Sequence, residues 1–324
     1  MKTKNIIILG GGGFIAKSLL EKITKKNNIN SKIFLIDQNI KKFKEEKKYN
    51  HSLIYIKSNL EKESEINKLI SFLKKKNIRR ISELWNLCAN SDIKISNLDN
   101  DLKNTYLSCF FSSKLLGMFK IDKYIFSSSS AIYGHSKVSL NEDILNFNPI
   151  SMYGLMKLNC EKFLKYLSNN YNCNFIVLRF PNVIGPYLTH GVIFDFLEKA
   201  KIDKNTLNVL GNGEQKKPYL HVDELLDIIY QLIIINKKDK FNIFNISPDD
   251  NGIKVKEIAL LFKKILYPNI KIKYSSKYNY GWKGDVPEYK FDISKIKSIG
   301  IKPKLSSKKS IINTLNFYKE NIND

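Results

Sequence analysis

The sequence predicts an α/β protein: a doubly wound parallel sheet followed by a smaller, mixed α/β C-terminal region. Three observations predict it. Over the first 180 of 324 residues, strand-like runs alternate with helical stretches. The runs, such as NIIILG, KIFLID and NFIVLRF, are apolar without period-two alternation. Strands covered on both faces read this way. After Pro181 the texture changes, and Gly185, Pro186, Gly191, Gly211, Gly213, Pro218, Gly281, Gly284 and Pro287 punctuate shorter elements.

The elements follow in order. NIIILG (5–10) reads as a strand, 14–26 as a helix, KIFLID (32–37) as a second strand and SLIYIK (52–57) as a third. A lysine-rich amphipathic helix spans 61–76, and ISELWNLCA (81–89) is the fourth strand. One helix covers 97–119, KYIFSSSS (123–130) is the fifth strand, a helix covers 152–169, and NFIVLRF (174–180) is the sixth strand. The helix DELLDIIYQLIII (223–235) and the strand FNIFNIS (241–247) return to the main sheet. The expected division is therefore 1–180, completed by 222–247, against 181–221 plus 248–324.

Composition narrows the class. Lys+Arg number 54 against 31 Asp+Glu, a formal charge of +23. Only Arg79, Arg80 and Arg179 are arginines, and the lysines are spread along the chain without an aromatic-interleaved basic patch. This argues against nucleic-acid binding, while the net charge still favours anionic substrates. Cys88, Cys109, Cys160 and Cys173 show neither CxxC pairing nor metal-ligand spacing with histidine, so reduced core thiols are expected and no metal site. The longest apolar stretch, around 228–235, falls well short of the roughly 20 residues of a membrane span. With no N-terminal signal visible, a cytoplasmic location is expected.

Chemistry enters at the four glycines 10–13, which lie between a strand and a helix. Gly10-x-x-Gly13-x-x-Ala16 between a strand and a helix is the context a dinucleotide loop requires, with an ordinary glycine-rich link as the alternative. The glycines allow a sharp turn and close approach to a pyrophosphate, and the helix N-terminus offers free N–H groups. Asp37, at the end of the second strand, is placed to hold the adenosine ribose hydroxyls. Its charge repels a 2′-phosphate, and the following Gln38 and Asn39 supply no arginine, so NAD is favoured over NADP. Tyr153 and Lys157, at i and i+4, share a helix face. An ammonium beside a phenol lowers its pKa and makes it a usable general base. The serines of FSSSSAIYG end the fifth strand, at the sheet edge where open α/β sheets bind ligands.

These segments, together with NLCA, LRFPNVIGP, VLGNGEQKKPYLHVDE and GWKGDVPEYKFDISK, resemble the extended short-chain dehydrogenases/reductases over essentially the whole chain. The likeness is to the nucleotide-sugar epimerase/dehydratase branch, and to a UDP-glucose 4-epimerase-like subgroup of it. The resemblance implies catalytic roles for Ser129, Tyr153 and Lys157. It implies NAD contacts from Gly10, Gly13, Phe14, Ile15, Asp37, Asn59, Leu60, Leu87, Ala89 and Asn104, as well as Tyr153 and Lys157. Substrate contacts fall on Ser129, Ser130, Tyr153, Asn182, His190, Lys217, Tyr219 and Asp285. It also implies a homodimer formed by packing the helices 97–119 and 152–169 into a four-helix bundle. Two departures stand out: Lys217 replaces an arginine, and Trp282 stands where a second arginine is frequent.

Positions 130 and 131 discriminate between reactions. Dehydratases of the family carry an acidic pair there, related decarboxylases a glutamate at the second position, and fucose-synthase-like epimerase-reductases a cysteine; here the pair is Ser130-Ala131. What is left is the minimum for reversible oxidation and reduction at one carbon. A UDP-hexose 4-epimerase is the expectation, with a 4-keto-sugar reductase or other NAD-linked dehydrogenase as the alternative and a non-catalytic nucleotide-binding protein as a third.

Overall fold

The computed structural model describes residues 4–25, 31–39, 52–90, 97–136, 138–235, 239–281 and 285–321. His51, Trp282 and Gly284 lie outside the described residues. The chain divides into two compact units. The first takes in 1–132, 152–179 and 236–243, and the second 133–151, 180–235 and 244–324. Relative to the sequence expectation, 133–151 and the helix beginning at 222 group with the second unit.

The first unit carries the sheet, apart from the last two residues of its final strand. Its strands are β1 (Lys4–Leu9), β2 (Ser31–Asp37), β3 (Ser52–Lys57), β4 (Glu83–Asn86), β5 (Lys123–Ser127), β6 (Asn174–Arg179) and β7 (Phe241–Asn245). They lie in the order β7-β6-β5-β4-β1-β2-β3. The pairs β1–β2, β1–β4, β2–β3, β4–β5 and β5–β6 are all parallel. The order reverses between β1 and β4, and the crevice outside the carboxyl ends of those strands is where such sheets bind ligands.

The apolar runs explain the two covered faces. Ile7, Leu9, Phe34, Ile36, Leu84, Tyr124, Phe126, Phe175 and Val177 form one core. Against them pack Ile66, Leu69 and Leu73 of helix α2 (Glu63–Lys75), Leu115 and Leu116, and Cys160 and Leu164 of helix α3 (Met152–Asn170). The alternate residues Ile6, Ile8, Ile33, Leu35, Trp85, Ile125 and Ile176 are equally buried, which is why no polar face interrupts the runs. Helix α1 (Phe14–Lys25) follows the glycine turn.

Three expectations need correction. The fourth strand is shorter than 81–89: Glu83–Asn86 holds the ladder, and Arg80–Ile81 pairs separately with Lys120–Ile121. The fifth strand stops at Ser127, and Ser130–Ile132 forms a single 3-10 turn. The helix expected over 97–119 is broken. Leu98–Asp101 is α-helical, Leu102–Leu107 winds as a π-helix, and Ser108–Ser112 and Lys114–Met118 resume α geometry on either side of Ser113. The hydroxyls of Ser108, Ser112 and Ser113 donate to carbonyls three or four residues back, local bonds that compete with a regular ladder.

The second unit is mixed α/β. Asn182–Ile184 pairs with Tyr219–His221 and Thr206–Val209 with Lys271–Tyr274, both parallel, and Lys216–Lys217 pairs antiparallel with Ile253–Lys254. Its helices are α4 (Val192–Ile202), α5 (Val222–Ile235), α6 (Val255–Ile265) and α7 (Ser307–Asn321). No helix among the described residues is long and apolar enough to cross a membrane.

Among the glycines of this unit, Gly134 has the least room for a side chain. Gly134 sits at φ +69°, and a Cβ there meets the carbonyl oxygen of Asn148 at 1.8 Å. Gly134→Ala is expected to lower stability by at least about 1–3 kcal/mol, since both the positive φ and the backbone clash must be relieved. Urea unfolding of the variant checks this; an unchanged midpoint contradicts the tight apposition of 134 and 148.

Candidate active site

The carboxyl edge of the sheet gathers the predicted cofactor residues. β1 ends in the glycine turn, β2 in Asp37, β3 in Ser58-Asn59-Leu60, β4 in Leu87-Cys88-Ala89 and β5 in the serines. Gly10 has φ +73°, and a Cβ there lies 3.0 Å from the backbone of Cys88 and Leu87, so only glycine lets the ends of β1 and β4 come this close. The turn is closed by Gly13 N donating to Gly10 O at 3.1 Å and Gly11 N to Ile36 O at 3.0 Å. Gly12 N donates to Asp37 Oδ2 and Asn39 N to Asp37 Oδ1, both at 2.8 Å. The Asp37 carboxylate thus fixes the turn from β2 and keeps lone pairs for two further donors.

This edge fits a dinucleotide. Gly13 is exposed, and a Cβ there approaches only Gly10 O, at 3.4 Å. The space beside the first turn of α1 is therefore open to a phosphate. That turn holds no acidic residue, leaving the positive end of the helix dipole uncancelled. Phe14 is buried and Ile15 half-buried behind the turn. Asn59 and Leu60 follow β3, with Asn59 half-buried and Leu60 buried. Leu87 and Ala89 are half-buried beyond β4, and half-buried Asn104 lies in the π-helical segment.

The catalytic candidates meet at the ends of β4 and β5. Helix α3 carries Tyr153 and Lys157 one turn apart. Lys157 is 1% exposed, and its Nζ donates to Ser127 O at 2.6 Å and to Cys88 O at 3.3 Å. The ammonium also sits 4.7 Å from the Phe126 ring centroid and 5.8 Å from that of Tyr153. Half-buried Ser129 is near enough to Tyr153 to act on its phenol, and its Oγ accepts from Ala131 N at 3.1 Å. Ser130 begins the 3-10 turn.

The electrostatics correct one expectation. Burial dominates at Tyr153 and pushes the phenol up to about 12; the Ser129 hydrogen bond opposes this, while Asp101 and Cys160 add to it. The spacing predicts that Lys157 lowers it; in this structure the net direction is upward, and the Lys157 ammonium is hydrogen-bonded to the carbonyls of Ser127 and Cys88. Lys157 itself is lowered by burial, against the pull of Cys160, Cys109, Cys88 and Glu161. The Cys88 thiol is raised, first by burial and then by Asp37, which makes it a poor nucleophile.

The remaining substrate candidates, Asn182, His190, Lys217, Tyr219 and Asp285, lie in the second unit. Lys217 and Asp285, both largely buried, form an ion pair, and Gly281 N donates to Asp285 Oδ2 at 3.0 Å. Lys217 is thus held by a carboxylate. Tyr219 is 4% exposed, its phenol raised by burial and then by Tyr289 and Asp285. Asn182 is exposed on the strand beside it. His190 is half-buried, with Nδ1 3.1 Å from Thr189 Oγ1. Two of the three arginines are committed elsewhere: Arg80 to Asp122, and Arg179 to Glu161.

Sequence reasoning missed two features. Asp101 is fully buried, accepts from Asn90 Nδ2 at 3.0 Å and raises the Tyr153 phenol, yet nothing in NLDNDLKN separates it from Asp99. Glu161 binds Arg179, and its signal was present: 153, 157 and 161 recur every four residues.

A parallel sheet in this strand order, with a glycine turn after β1 and a Tyr-x-x-x-Lys helix beside the end of β5, defines a dinucleotide-dependent oxidoreductase-type fold. The chain belongs to the NAD dependent epimerase/dehydratase family, whose model matches residues 6–247. Among its relatives is a putative UDP-glucose 4-epimerase of Methanocaldococcus jannaschii, 25% identical over 98% of this chain and 99% of that one. A dTDP-4-dehydro-6-deoxyglucose reductase of Escherichia coli is 30% identical over 75% of this chain and 77% of its own. Among solved structures, the UDP-glucose 4-epimerase of Thermotoga maritima with UDP-glucose superposes with a TM-score of 0.81 at 24% identity, covering 98% of this chain and 99% of that one. The UDP-glucuronic acid 4-epimerase of Bacillus cereus, with UDP-glucuronic acid and NAD, gives 0.81 at 18% identity over the same shares.

The raised phenol has a consequence for stability. Below pH 10 the tyrosine is protonated in both the folded and the unfolded chain. Between pH 10 and about 12 the unfolded phenol ionises while the folded one keeps its proton, so this contribution to stability is lost as pH rises through that window. Denaturation curves at pH 9 and pH 11.5 are expected to show a larger alkaline loss for the parent than for Tyr153→Phe. Equal losses contradict the burial of the phenol.

Proposed function

We propose that this enzyme is a nucleotide-sugar 4-epimerase that uses NAD without net redox change, with a UDP-hexose as its substrate. The observation that carries the reading is the meeting of Ser129, Tyr153 and Lys157 at the sheet edge, followed by Ser130-Ala131 where an eliminating enzyme needs acids. The whole-length relative named as a putative UDP-glucose 4-epimerase supports the sugar class.

The residues divide the work. Gly10, Gly13 and the first turn of α1 take the pyrophosphate, Asp37 the adenosine ribose, and Asn59 and Leu60 the adenine edge. Leu87, Ala89 and Asn104 line the nicotinamide half. NAD, when bound, supplies the hydride acceptor and donor, and its cationic oxidised ring favours a phenolate nearby. Tyr153 removes the proton from the C4 hydroxyl and later returns one to the oxygen. Ser129 holds that oxygen through both steps, and Lys157 fixes the local charge. The 4-keto sugar turns over between the two steps, which inverts C4. Asn182, Lys217, Tyr219, Asp285 and His190 bind the nucleotide diphosphate and sugar. Lys217 acts as a point charge where an arginine fork is more usual.

A second reading, an NAD-linked 4-keto-sugar reductase, is favoured by the relative that is 30% identical. Incubating the pure protein with UDP-galactose and no added cofactor separates the two. The epimerase forms UDP-glucose by NMR, whereas a reductase forms nothing. Tyr153→Phe is expected to lower turnover by about 10²–10⁴-fold or more. Asp37→Ala combined with Gln38→Arg is expected to shift binding from NAD toward NADP, read by calorimetry. Equal affinity of the parent for both cofactors contradicts the role of Asp37.

A further inference from the structure

Beneath the catalytic residues lies a buried ion pair that the proposed chemistry does not use. Arg179, at the end of β6, is 2% exposed, and Glu161 of α3 is 3% exposed. The fork is multiply bonded: Arg179 Nη2 donates to Glu161 Oε2 at 2.6 Å, and Nε lies 3.1 and 3.2 Å from the two carboxylate oxygens. Glu161 Oε1 also accepts the hydroxyl of Ser128, which is 1% exposed. Ser128 N in turn donates to Leu178 O at 2.7 Å, one residue before the arginine. Ser128 directly precedes Ser129, and Glu161 sits one turn beyond Lys157 and two beyond Tyr153 on the same helix stripe.

We propose that Glu161, gripped by Arg179 and holding Ser128, is a positioning residue: it sets Ser129 against Tyr153 and Lys157. The inference rests on the catalytic reading given above. Ser129 has left the β5 ladder, so its own strand no longer fixes it. Its place is set by Ser128, tied to β6 through the backbone and to α3 through the hydroxyl. The Ser127 carbonyl, held by Lys157, fixes the other side. A fold that only needed α3 packed on β6 has no use for the Ser128 hydroxyl. Apolar residues in place of a buried ion pair are frequently neutral or stabilising, so stability and positioning can be separated experimentally.

The test compares Ser128→Ala and the pair Glu161→Met/Arg179→Met with the parent and with Tyr153→Phe. Melting temperature, NAD affinity, kcat and KM on UDP-galactose, and amide exchange at Ala131 are measured. Ala131 donates to Ser129 Oγ and so reports its position without any substrate. Ser128→Ala is expected to keep the melting temperature, NAD affinity and KM, to lower kcat on the order of tenfold to a hundredfold, and to speed exchange at Ala131. Parental exchange at Ala131 in Ser128→Ala overturns the proposal, as does a parental kcat while Tyr153→Phe is inactive. If Tyr153→Phe keeps its activity, the catalytic reading fails instead, and exchange alone decides the positioning. Should the double methionine variant fold poorly, Ser128→Ala carries the test.

Discussion

A buried lysine ammonium holds the site together. Lys157 reaches out of α3 to the carbonyls that end β5 and follow β4, and satisfies both from one charge. Unpaired strand-end carbonyls in a covered sheet are costly, and so is an ammonium with 1% exposure. Each removes the other's penalty. The bonds fix where α3 lies along the sheet edge, and therefore where Tyr153 stands. Burial is the largest influence on the phenol itself in this structure.

A second constraint operates on the other side of the switch point. The Gly10 turn brings β1 and β4 within contact distance of one another, and Asp37 braces the turn from β2. A residue expected only to bind ribose therefore also shapes the glycine turn. Three neighbouring strands contribute to one short turn, so the turn depends on the register of the sheet rather than on its own sequence. The glycine turn and the Lys157 side of the edge share β4, whose end supplies Cys88 to both: its amide beside Gly10 and its carbonyl to Lys157.

Much of this was legible in the sequence. The strand runs, the glycine turn, Asp37 and the Tyr153–Lys157 spacing all follow from periodicity and local chemistry, and the structure sets them on one sheet edge. What escaped reading depended on contacts between distant segments. The break in 98–118 arises where serine hydroxyls back-bond to the helix and Asn104 and Thr105 wind as a π-helix. The Lys217–Asp285 pair joins positions 68 apart, and no local pattern announces it. Asp101 differs from its acidic neighbours only in being buried. Glu161 lay within reach, since it continues the four-residue stripe, but its partner Arg179 is on another element.

The central claim is that one carbon is oxidised and reduced again within a single site, with Tyr153 moving the proton. UDP-galactose deuterated at C4 tests it most directly. The account predicts UDP-glucose that keeps the deuterium at C4, with no label in free reduced cofactor and none exchanged into water. Loss of the label to solvent, or its appearance in released NADH, contradicts the account.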